Sequence, residues 1–461
     1  MYNTIKKLFV VAFLMVSSRT FTQTISSRLE NAYYSFEKDS QLTSAIASLY
    51  VINAASGEVV FDKNSRVGLA TASTMKVITA ATAYELLGKD FRYETRFGYV
   101  GSIRNKSLVG DFYLKASGDP TLGSWRWKST TDTIVLSELF RSIKKLNITG
   151  YNDIVIDQRA WNAETVPDGW IWQDIGNYYG AGPAGFNWRE NQFDIVLQSG
   201  KQVGDPVSIV KTQPSTIIPL VSLAKSAPKG SGDNSYVYYP LLGNEGVIRG
   251  TIPVNEKSFT ISASDPLSGN TFARLFREGL TTRFKITQRQ NETHPDDTTY
   301  VFTHYSPSLD SIVYWFLKKS INLYGEALVK TFSFQRTGFG ETAKGTDIVR
   351  NFWKQKGIPV AELNIVDGSG LSPLNRVTTH AQVMVLKYAR SQPWFSGYYF
   401  AFPEYNGMKM KSGTISDVKG FCGYQKSKDG DEYIFSFLVN NYSGASSQLI
   451  QKMYRVLDEL K

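Results

Sequence analysis

Serine followed three residues later by lysine recurs at several places in the chain, and this spacing can set a nucleophile beside its base. A serine hydroxyl is a weak nucleophile at neutral pH and needs a base to take its proton. A lysine amine can be that base where burial or a neighbouring cation lowers its pKa. Residues i and i+3 of a helix share one face, so the two side chains meet there. Four of these tetrads begin at Ser73, Ser142, Ser222 and Ser226.

Of these four, only the tetrad at Ser73 stands at the head of a long helical pattern, in "LATASTMKVITAATAYELLG" at 69–88. The start of a helix supplies unpaired backbone N–H groups and the positive end of the helix dipole. Ser142 lies inside a helical pattern, and the last two tetrads fall in a short segment closed by Pro228. The setting favours Ser73 as the nucleophile and Lys76 as its base. The alternative is an N-cap serine followed by a solvated lysine.

Two further polar motifs follow in order along the chain. Ser-Ile-Asn at 320–322 lies in a helical pattern, and Lys-Ser-Gly-Thr at 411–414 lies in a strand pattern. Each is weak alone, because 268–270 and 336–338 imitate them. The three motifs in one order, each in a suitable local setting, are far harder to obtain by chance.

Other common hydrolase chemistries lack their signatures. The chain has three histidines, His294, His304 and His380, and no H-E-x-x-H spacing that indicates a zinc hydrolase. It has no Walker A motif, and "DGSGLS" at 367–372 lacks the G-x-S-x-G spacing of a nucleophile elbow. Nothing marks a Ser-His-Asp triad. We expect no metal and no cofactor.

The elements that must position these motifs lie at the two ends of the chain. Alternating apolar and polar residues predict a β-hairpin at 45–64 before the Ser73 helix, and two strands and a helix close the chain. Between them, 160–300 is rich in Gly, Pro, Trp and short strand-like runs, and "YNDIVID" reads as a buried strand ending at Asp157. The ends therefore predict one α+β unit, and the middle predicts a β-rich insertion.

Composition and the amino terminus indicate an exported globular protein. The chain has 461 residues, 42% of them hydrophobic, which is enough for more than one core. A basic start, a short apolar run and a polar stretch predict a signal peptide at 1–23, and no later segment predicts a transmembrane anchor. The single cysteine, Cys422, excludes an intramolecular disulfide and favours a buried strand residue. The net charge of +10 suits solubility or an anionic surface, and no basic cluster indicates nucleic acid.

With these motifs in place, the sequence resembles the penicillin-recognising serine D-Ala-D-Ala peptidases, whose set is S-x-x-K, S-x-N and K-[ST]-G. It is most similar to their low-molecular-mass class C, peptidase family S13. The blocks "ASTMKVIT", "GDFYLKASGDPTL", "VDGSGLS" and "MKSGTISDVKGFCGY" carry that similarity across about residues 30–461. The resemblance implies an α+β penicillin-binding/β-lactamase-like catalytic domain at 24–95 plus 298–461. The insertion would span 96–297 and fold as two domains.

The resemblance also implies roles for the residues of the first two motifs. Ser73 would be acylated, and Lys76 would accept its proton. Ser320 would relay a proton to the leaving amine, and Asn322 would hold Lys76 and the substrate amide. The alternative for the second motif is a polar break in a helix.

The third motif would bind the substrate. Lys411 and Ser412 would hold its terminal carboxylate, and Lys411 would keep Lys76 partly neutral by repulsion between like charges. The backbone N–H groups of Ser73 and Thr414 would form an oxyanion hole. An edge-strand lysine is the alternative for Lys411, but it leaves the Ser-Gly-Thr that follows unexplained.

Four positions bear on how closely the chain follows the family pattern. Ile321 stands where an Asp is frequent, and Ser412 replaces the commoner Thr, but we expect the chemistry to persist. Asp157 resembles an acidic residue of the family's inserted domain that binds a cationic side chain of the peptide. A purely structural role, as a cap at the end of the strand, is an equally good interpretation. Pro373 follows "DGSGLS" where an Arg is common, so the chain departs there from the family pattern linked to side-chain specificity.

The implied protein is a periplasmic serine D-Ala-D-Ala carboxypeptidase that acts on peptidoglycan stem peptides and is acylated by β-lactams. Three alternatives stay open at this point. One is an endopeptidase that cuts peptidoglycan cross-links with the same residues. The second is a β-lactamase, which shares the nucleophile. The third is a non-catalytic scaffold that binds peptidoglycan.

Overall fold

The computed structural model describes residues 24–240, 243–289 and 297–461. The predicted signal peptide at 1–23 lies outside the described residues. Within those three ranges, no helix has the length and the apolar character needed to cross a membrane.

Eleven α-helices occur in the described ranges. In chain order they are α1 (Ile25–Glu37), α2 (Lys76–Leu87), α3 (Asp132–Lys144), α4 (Trp172–Ile175), α5 (Ser268–Phe284), α6 (Leu309–Lys318), α7 (Asn322–Thr337), α8 (Thr342–Gln355), α9 (Thr379–Arg390), α10 (Phe395–Ala401) and α11 (Ser446–Leu457).

The same ranges contain twenty-one strands, several of them only two residues long. They are β1 (Ile46–Asn53), β2 (Val59–Lys63), β3 (Glu94–Arg104), β4 (Ser107–Lys115), β5 (Gly150–Tyr151), β6 (Ile154–Asp157), β7 (Gln192–Gln198), β8 (Ser208–Gln213), β9 (Leu220–Ser222), β10 (Lys225–Ala227), β11 (Asn234–Tyr238), β12 (Gly246–Pro253), β13 (Phe259–Ser264), β14 (Thr287–Gln288), β15 (Thr298–Tyr305), β16 (Leu363–Asn364), β17 (Arg376–Val377), β18 (Glu404–Tyr405), β19 (Met408–Ile415), β20 (Val418–Lys426) and β21 (Glu432–Asn440).

An antiparallel sheet joins the two ends of the chain, in the order β18-β19-β20-β21-β1-β2. The predicted hairpin is β1 and β2, and β1 pairs with β21 from Ile46↔Asn440 to Asn53↔Tyr433. Successive strand residues point to opposite faces. In β21, Ile434 therefore packs into the core beneath α2, α6 and α9, and Phe435 packs into the core beneath α1 and α11. Because helices cover both faces, the central strands are apolar almost throughout.

Helix α2, which follows Ser73, is buried along most of its length, from Lys76 to Tyr84. Its sequence is apolar on all sides, and a helix of that kind belongs inside a protein. It packs among α6, α7 and α9 in the core on one face of the sheet that joins the two ends of the chain. The small side chains of Ala80, Ala81 and Ala83 leave room for these neighbours. The Ser73 turn is thereby fixed on a helix that cannot shift without disturbing the core.

The inserted segment has two apolar cores. One lies between α3, α5 and the sheet β14-β5-β4-β3-β15, to which β6 adds by pairing with β4. The other joins the sheets β13-β7-β8 and β10-β12-β11. Strand β15 pairs with β3, so the first sheet takes in residues on both sides of the predicted bounds 96–297. The division into domains stays a prediction.

Two local features differ from the simplest sequence pattern. The helical region after residue 308 is two helices, because the chain turns at Ser320, which has a φ of 58°. Strand β6 is not buried as predicted: Val155 is 39% exposed. It has four residues and pairs with β4 alone, so it lies at an edge where one side meets solvent.

Candidate active site

Ser73 lies on a single 3₁₀ turn, residues 72–75, that leads directly into α2. The preceding residue, Ala72, has a φ of 45°, a conformation that is unusual for a residue with a Cβ. This turn directs the Ser73 hydroxyl toward Lys76, the first residue of α2. Lys76 Nζ lies 2.9 Å from Ser73 Oγ, so the predicted pair is in direct contact.

Lys76 is completely buried and has three oxygen neighbours. Besides Ser73 Oγ, its Nζ lies 2.6 Å from Asn322 Oδ1 and 2.7 Å from the backbone oxygen of Ser369. A neutral amine has two N–H groups and one lone pair. Donation to Asn322 and Ser369 therefore leaves the lone pair for the proton of Ser73. This is the arrangement that a general base requires.

The electrostatic surroundings favour the neutral amine. Burial lowers the pKa of Lys76 well below its usual range, and repulsion from Lys411 lowers it further. The carboxyl groups of Asp367 and Glu326 act in the opposite direction and raise that pKa. The repulsion between Lys411 and Lys76 that the sequence suggested is present, but burial is the larger cause.

The second motif occupies the break between α6 and α7. Asn322 is the first residue of α7, and its Nδ2 donates to the backbone oxygen of Tyr179 at 2.7 Å. Ser320 lines the same cleft as Ser73. Within the described ranges, no hydrogen bond joins the Ser320 hydroxyl to Ser73 or Lys76. The proton relay assigned to Ser320 thus stays a prediction.

The third motif lies on β19, next to the Ser73 turn. Lys411 is buried, its Nζ donates to the backbone oxygen of Ser412 at 2.8 Å, and burial lowers its pKa to about 7. Lys411 is paired in register with Cys422 of β20, whose Sγ lies 3.9 Å from the backbone oxygen of Thr74. Cys422 is buried in a strand, as its sequence setting predicts. These contacts place the strand directly against the turn that bears Ser73.

Gly413 is what allows β19 to approach so closely. A Cβ at this position would lie 2.6 Å from the backbone oxygen of Thr71 and 3.0 Å from the backbone nitrogen of Ser73. Any side chain would therefore push the strand away from the turn. The next residue, Thr414, lines the cleft together with Ser73, and Lys419 donates to its hydroxyl at 2.7 Å.

The cleft over Ser73 has a volume of about 610 Å³. Of the predicted residues, Ser73, Ser320, Asn322 and Thr414 line it. Lys411 and Ser412 are not among its lining residues, and they belong to the strand that borders it. The remaining lining side chains include residues the sequence analysis missed, mainly from the segment 171–179 and from 126, 192 and 236.

The sequence analysis also missed Asp367, the first residue of "DGSGLS". It is fully buried and accepts hydrogen bonds from the backbone of Gly370 and Ser372, both at 2.7 Å. It also accepts from Asn375 Nδ2 at 2.9 Å and from Trp170 Nε1 at 3.0 Å. These bonds fix the loop whose Ser369 carbonyl holds Lys76. An Asp followed by Gly-Ser-Gly is a known turn signal, and it could have indicated this anchor.

Arg126 brings a charged group to the other wall of the cleft. Its guanidinium forms two hydrogen bonds to Glu190, Nε to Oε1 at 2.7 Å and Nη2 to Oε2 at 3.0 Å. Glu190 is buried and also accepts from the Tyr324 hydroxyl at 2.7 Å. Paired geometry of this kind fixes the guanidinium rigidly. The network ties the inserted segment to α7, which carries Asn322.

Asp157 is not brought to this cleft. Both of its carboxylate oxygens accept hydrogen bonds from the guanidinium of Arg159, and the Tyr113 hydroxyl also donates to Oδ2. These hydrogen bonds hold the pKa of Asp157 well below its usual range, with Arg159 the largest cause. Asp157 is absent from the residues that line the Ser73 cleft. The geometry gives no support to its predicted role in substrate binding.

The arrangement of the three motifs is typical of a class of protein, the penicillin-recognising serine enzymes. The fold agrees. A crystal structure of penicillin binding protein 4 (dacB) from Haemophilus influenzae superposes with a TM-score of 0.78, at 21% identity over 93% of this chain and 98% of that chain. Its complex with a β-lactam superposes with a TM-score of 0.73, at 20% identity over the same shares of the two chains.

The family follows from the sequence comparison. The sequence model of the D-Ala-D-Ala carboxypeptidase 3 (S13) family matches residues 30–404, and the chain belongs to this family. A D-alanyl-D-alanine carboxypeptidase of Actinomadura sp. strain R39 is 26% identical over 90% of this chain and 81% of its own length. The D-alanyl-D-alanine carboxypeptidase DacB of Haemophilus influenzae is 25% identical over 84% and 83%, respectively. The resemblance seen in the motifs is thus confirmed.

Proposed function

We propose that the protein is a serine-type D-Ala-D-Ala carboxypeptidase that acts on peptidoglycan stem peptides through an acyl-enzyme on Ser73. Membership of the S13 family and the two D-alanyl-D-alanine carboxypeptidase relatives support the reaction class. The observation that carries the mechanism is the contact of 2.9 Å between Lys76 Nζ and Ser73 Oγ. A buried amine with two other acceptors and a lowered pKa is prepared to take the serine proton.

In acylation, Ser73 Oγ attacks the carbonyl carbon of the penultimate D-Ala while its proton moves to Lys76. The backbone N–H groups of Ser73 and Thr414 would stabilise the negative charge on the carbonyl oxygen. The C–N bond then breaks, and the amine of the terminal D-Ala leaves with a proton. Ser320, which lines the cleft, is the residue we assign to deliver that proton from Lys76.

Deacylation reverses these steps with water in place of the peptide. Water attacks the ester carbonyl, Lys76 takes one of its protons, and the Ser73 hydroxyl is restored as the C–O bond breaks. One water is consumed for each D-Ala released. The same amine serves as base in both halves because its neighbours keep it neutral at the start of each.

Recognition of the terminal carboxylate falls to β19. Lys411, Ser412 and Thr414 lie along one strand beside Ser73, and they offer one cationic and two hydroxyl groups. A carboxylate that approached Lys411 would also favour its charged form. Because peptidoglycan lies outside the cytoplasm, the reaction would take place in the periplasm, in agreement with the signal peptide predicted at 1–23.

The test is intact-mass measurement after incubation with benzylpenicillin, together with D-Ala release from a synthetic stem peptide. We expect one covalent adduct, absent from Ser73→Ala, and release of a single D-Ala per peptide. An unmodified mass for folded wild-type protein would refute the mechanism and favour a non-catalytic scaffold.

The same assays separate the enzymatic alternatives. A β-lactamase would hydrolyse penicillin with many turnovers and leave no lasting adduct. An endopeptidase would cut the cross-link between two stem peptides faster than it trims the terminal D-Ala. Our proposal requires that the protein trims the terminal D-Ala faster than it cuts the cross-link.

A further inference from the structure

A buried carboxyl group lies behind Lys76, and the mechanism above leaves it without a task. Glu326 is on α7, one turn after Asn322, and it is fully buried. Its Oε2 accepts the backbone N–H of Gly368 at 2.9 Å. Among the described residues, its Oε1 has no hydrogen bond within the usual distance, although the Ser369 hydroxyl is close enough to lower its pKa. An incompletely satisfied buried carboxyl is costly and calls for an explanation.

Two glycines bring Glu326 to this position. A Cβ on Gly368 would lie 2.3 Å from the backbone oxygen of Gly325, and a Cβ on Gly325 would lie 2.8 Å from the backbone oxygen of Gly368. Helix α7 and the loop therefore touch backbone to backbone. Glu326, next to Gly325, reaches Gly368, and the following residue, Ser369, presents its carbonyl to Lys76 at 2.7 Å. One chain of contacts runs from the carboxyl to the base.

The charges around Glu326 link its protonation to that of Lys76. Burial and repulsion from Asp367 raise the pKa of Glu326 to about 8, and attraction to Lys76 lowers it. Lys330, one turn along α7, is a further cation that faces Glu326. Lys76 itself also faces Lys411 of β19. An anionic Glu326 therefore stabilises the ammonium form of Lys76, and an uncharged Glu326 does not.

We infer that Glu326 is a positioning residue for Lys76: it anchors the loop that orients the amine, and the proton that the two groups share decides whether that amine is free to act as a base. The inference rests on the proposed function, since it presumes that Lys76 is the base. The pair holds one proton in either of two arrangements with the same net charge. With the proton on Glu326, Lys76 can accept the proton of Ser73; with the proton on Lys76, it cannot.

Glu326→Gln separates the anchoring of the loop from the electrostatic effect on Lys76. Glutamine keeps an oxygen that can accept from Gly368, but it cannot become anionic. The ammonium form of Lys76 then loses a stabilising neighbour, so its pKa falls. We expect the acidic limb of the pH profile of acylation to move to lower pH by about one unit. A role confined to structure would leave that limb in place.

The experiment is the second-order rate of acylation by a fluorescent penicillin, measured from about pH 5 to about pH 9. It compares the wild type, Glu326→Gln, and the control Glu138→Gln on α3 of the inserted segment. We expect the control profile to coincide with the wild type. A Glu326→Gln limb that coincides with the wild type overturns the inference.

Two further outcomes also decide whether the inference holds. If Glu326→Gln does not fold, Glu326→Met replaces it, because methionine removes the charge at similar volume; its limb must also move down, at a reduced rate. An unmoved limb in that variant again overturns the inference. A wild type that is not acylated at any pH refutes the proposed function and this inference with it, whereas acylation with unmoved limbs refutes this inference alone.

Discussion

The side-chain amide of Asn322 accepts a hydrogen bond from Lys76 Nζ at 2.6 Å, and its Nδ2 donates to the backbone oxygen of Tyr179 at 2.7 Å. One residue thus joins Lys76 of α2 to the wall of the cleft. Because the amide is neutral, it orients the amine without adding charge. The pKa of Lys76 should therefore depend on the neutral amide of Asn322 and not only on the size of this side chain.

Replacement of Asn322 by aspartate tests this point. Aspartate keeps the shape and an oxygen for Lys76, but it adds a negative charge that raises the pKa of the amine and loses the donor to Tyr179. We expect slower acylation near neutral pH, by ~10- to 100-fold, with partial recovery as pH rises. The measurement is the acylation rate against pH. An equal loss at every pH would contradict the electrostatic explanation.

Removal of the Lys76 amine, the proposed base, should have the largest effect. Lys76→Ala should fold, because it removes a buried group whose charged form is disfavoured, and acylation should fall by about 10²- to 10⁴-fold. Stopped-flow or gel-based labelling by fluorescent penicillin measures the rate, and circular dichroism checks the fold. Lys145→Ala, from a tetrad inside the inserted segment, is the matched control and should label at the wild-type rate. Unchanged labelling of Lys76→Ala would remove this residue from the base role.

Much of this site could be predicted from local sequence, and the rest depended on tertiary contacts. The hairpin and the Ser73 helix follow from short-range periodicity, and the motif residues follow from type, spacing and order. The contact of Asn322 with Tyr179 joins residues far apart in the chain, and the buried Glu326 looks like any helix glutamate in the sequence. Asp157 is not among the residues that line the cleft, and strand pattern alone gave no sign that Arg159 would bind its carboxylate.

Gly413 is predicted to be intolerant of a side chain. Gly413→Ala places a Cβ 2.6 Å from the backbone oxygen of Thr71, so strand and turn must separate. We expect a loss of about 1–3 kcal/mol in the free energy of unfolding and a large fall in acylation. Urea denaturation and penicillin labelling measure the two effects. Gly269→Ala on α5, where the nearest atom would be 3.6 Å away, is the control and should lose neither; a Gly413→Ala protein that labels normally would refute the requirement.

The buried Lys411 should make stability depend on pH in a predictable direction. Burial lowers its pKa to about 7, whereas in the unfolded chain the pKa is near the model-peptide value of about 10.4. Between these pH values the unfolded state binds more protons, so the free energy of unfolding falls as pH drops from about 10 and levels off below about 7.

Lys411→Met removes this penalty of burying the lysine. We expect it to be more stable than wild type near pH 7, by a gain on the order of 2 kcal/mol, and the gain should shrink toward pH 10. Urea denaturation at both pH values measures it, with Lys409→Met on the same strand as control. A gain that is equal at pH 7 and pH 10 would show that Lys411 is not buried in its neutral form.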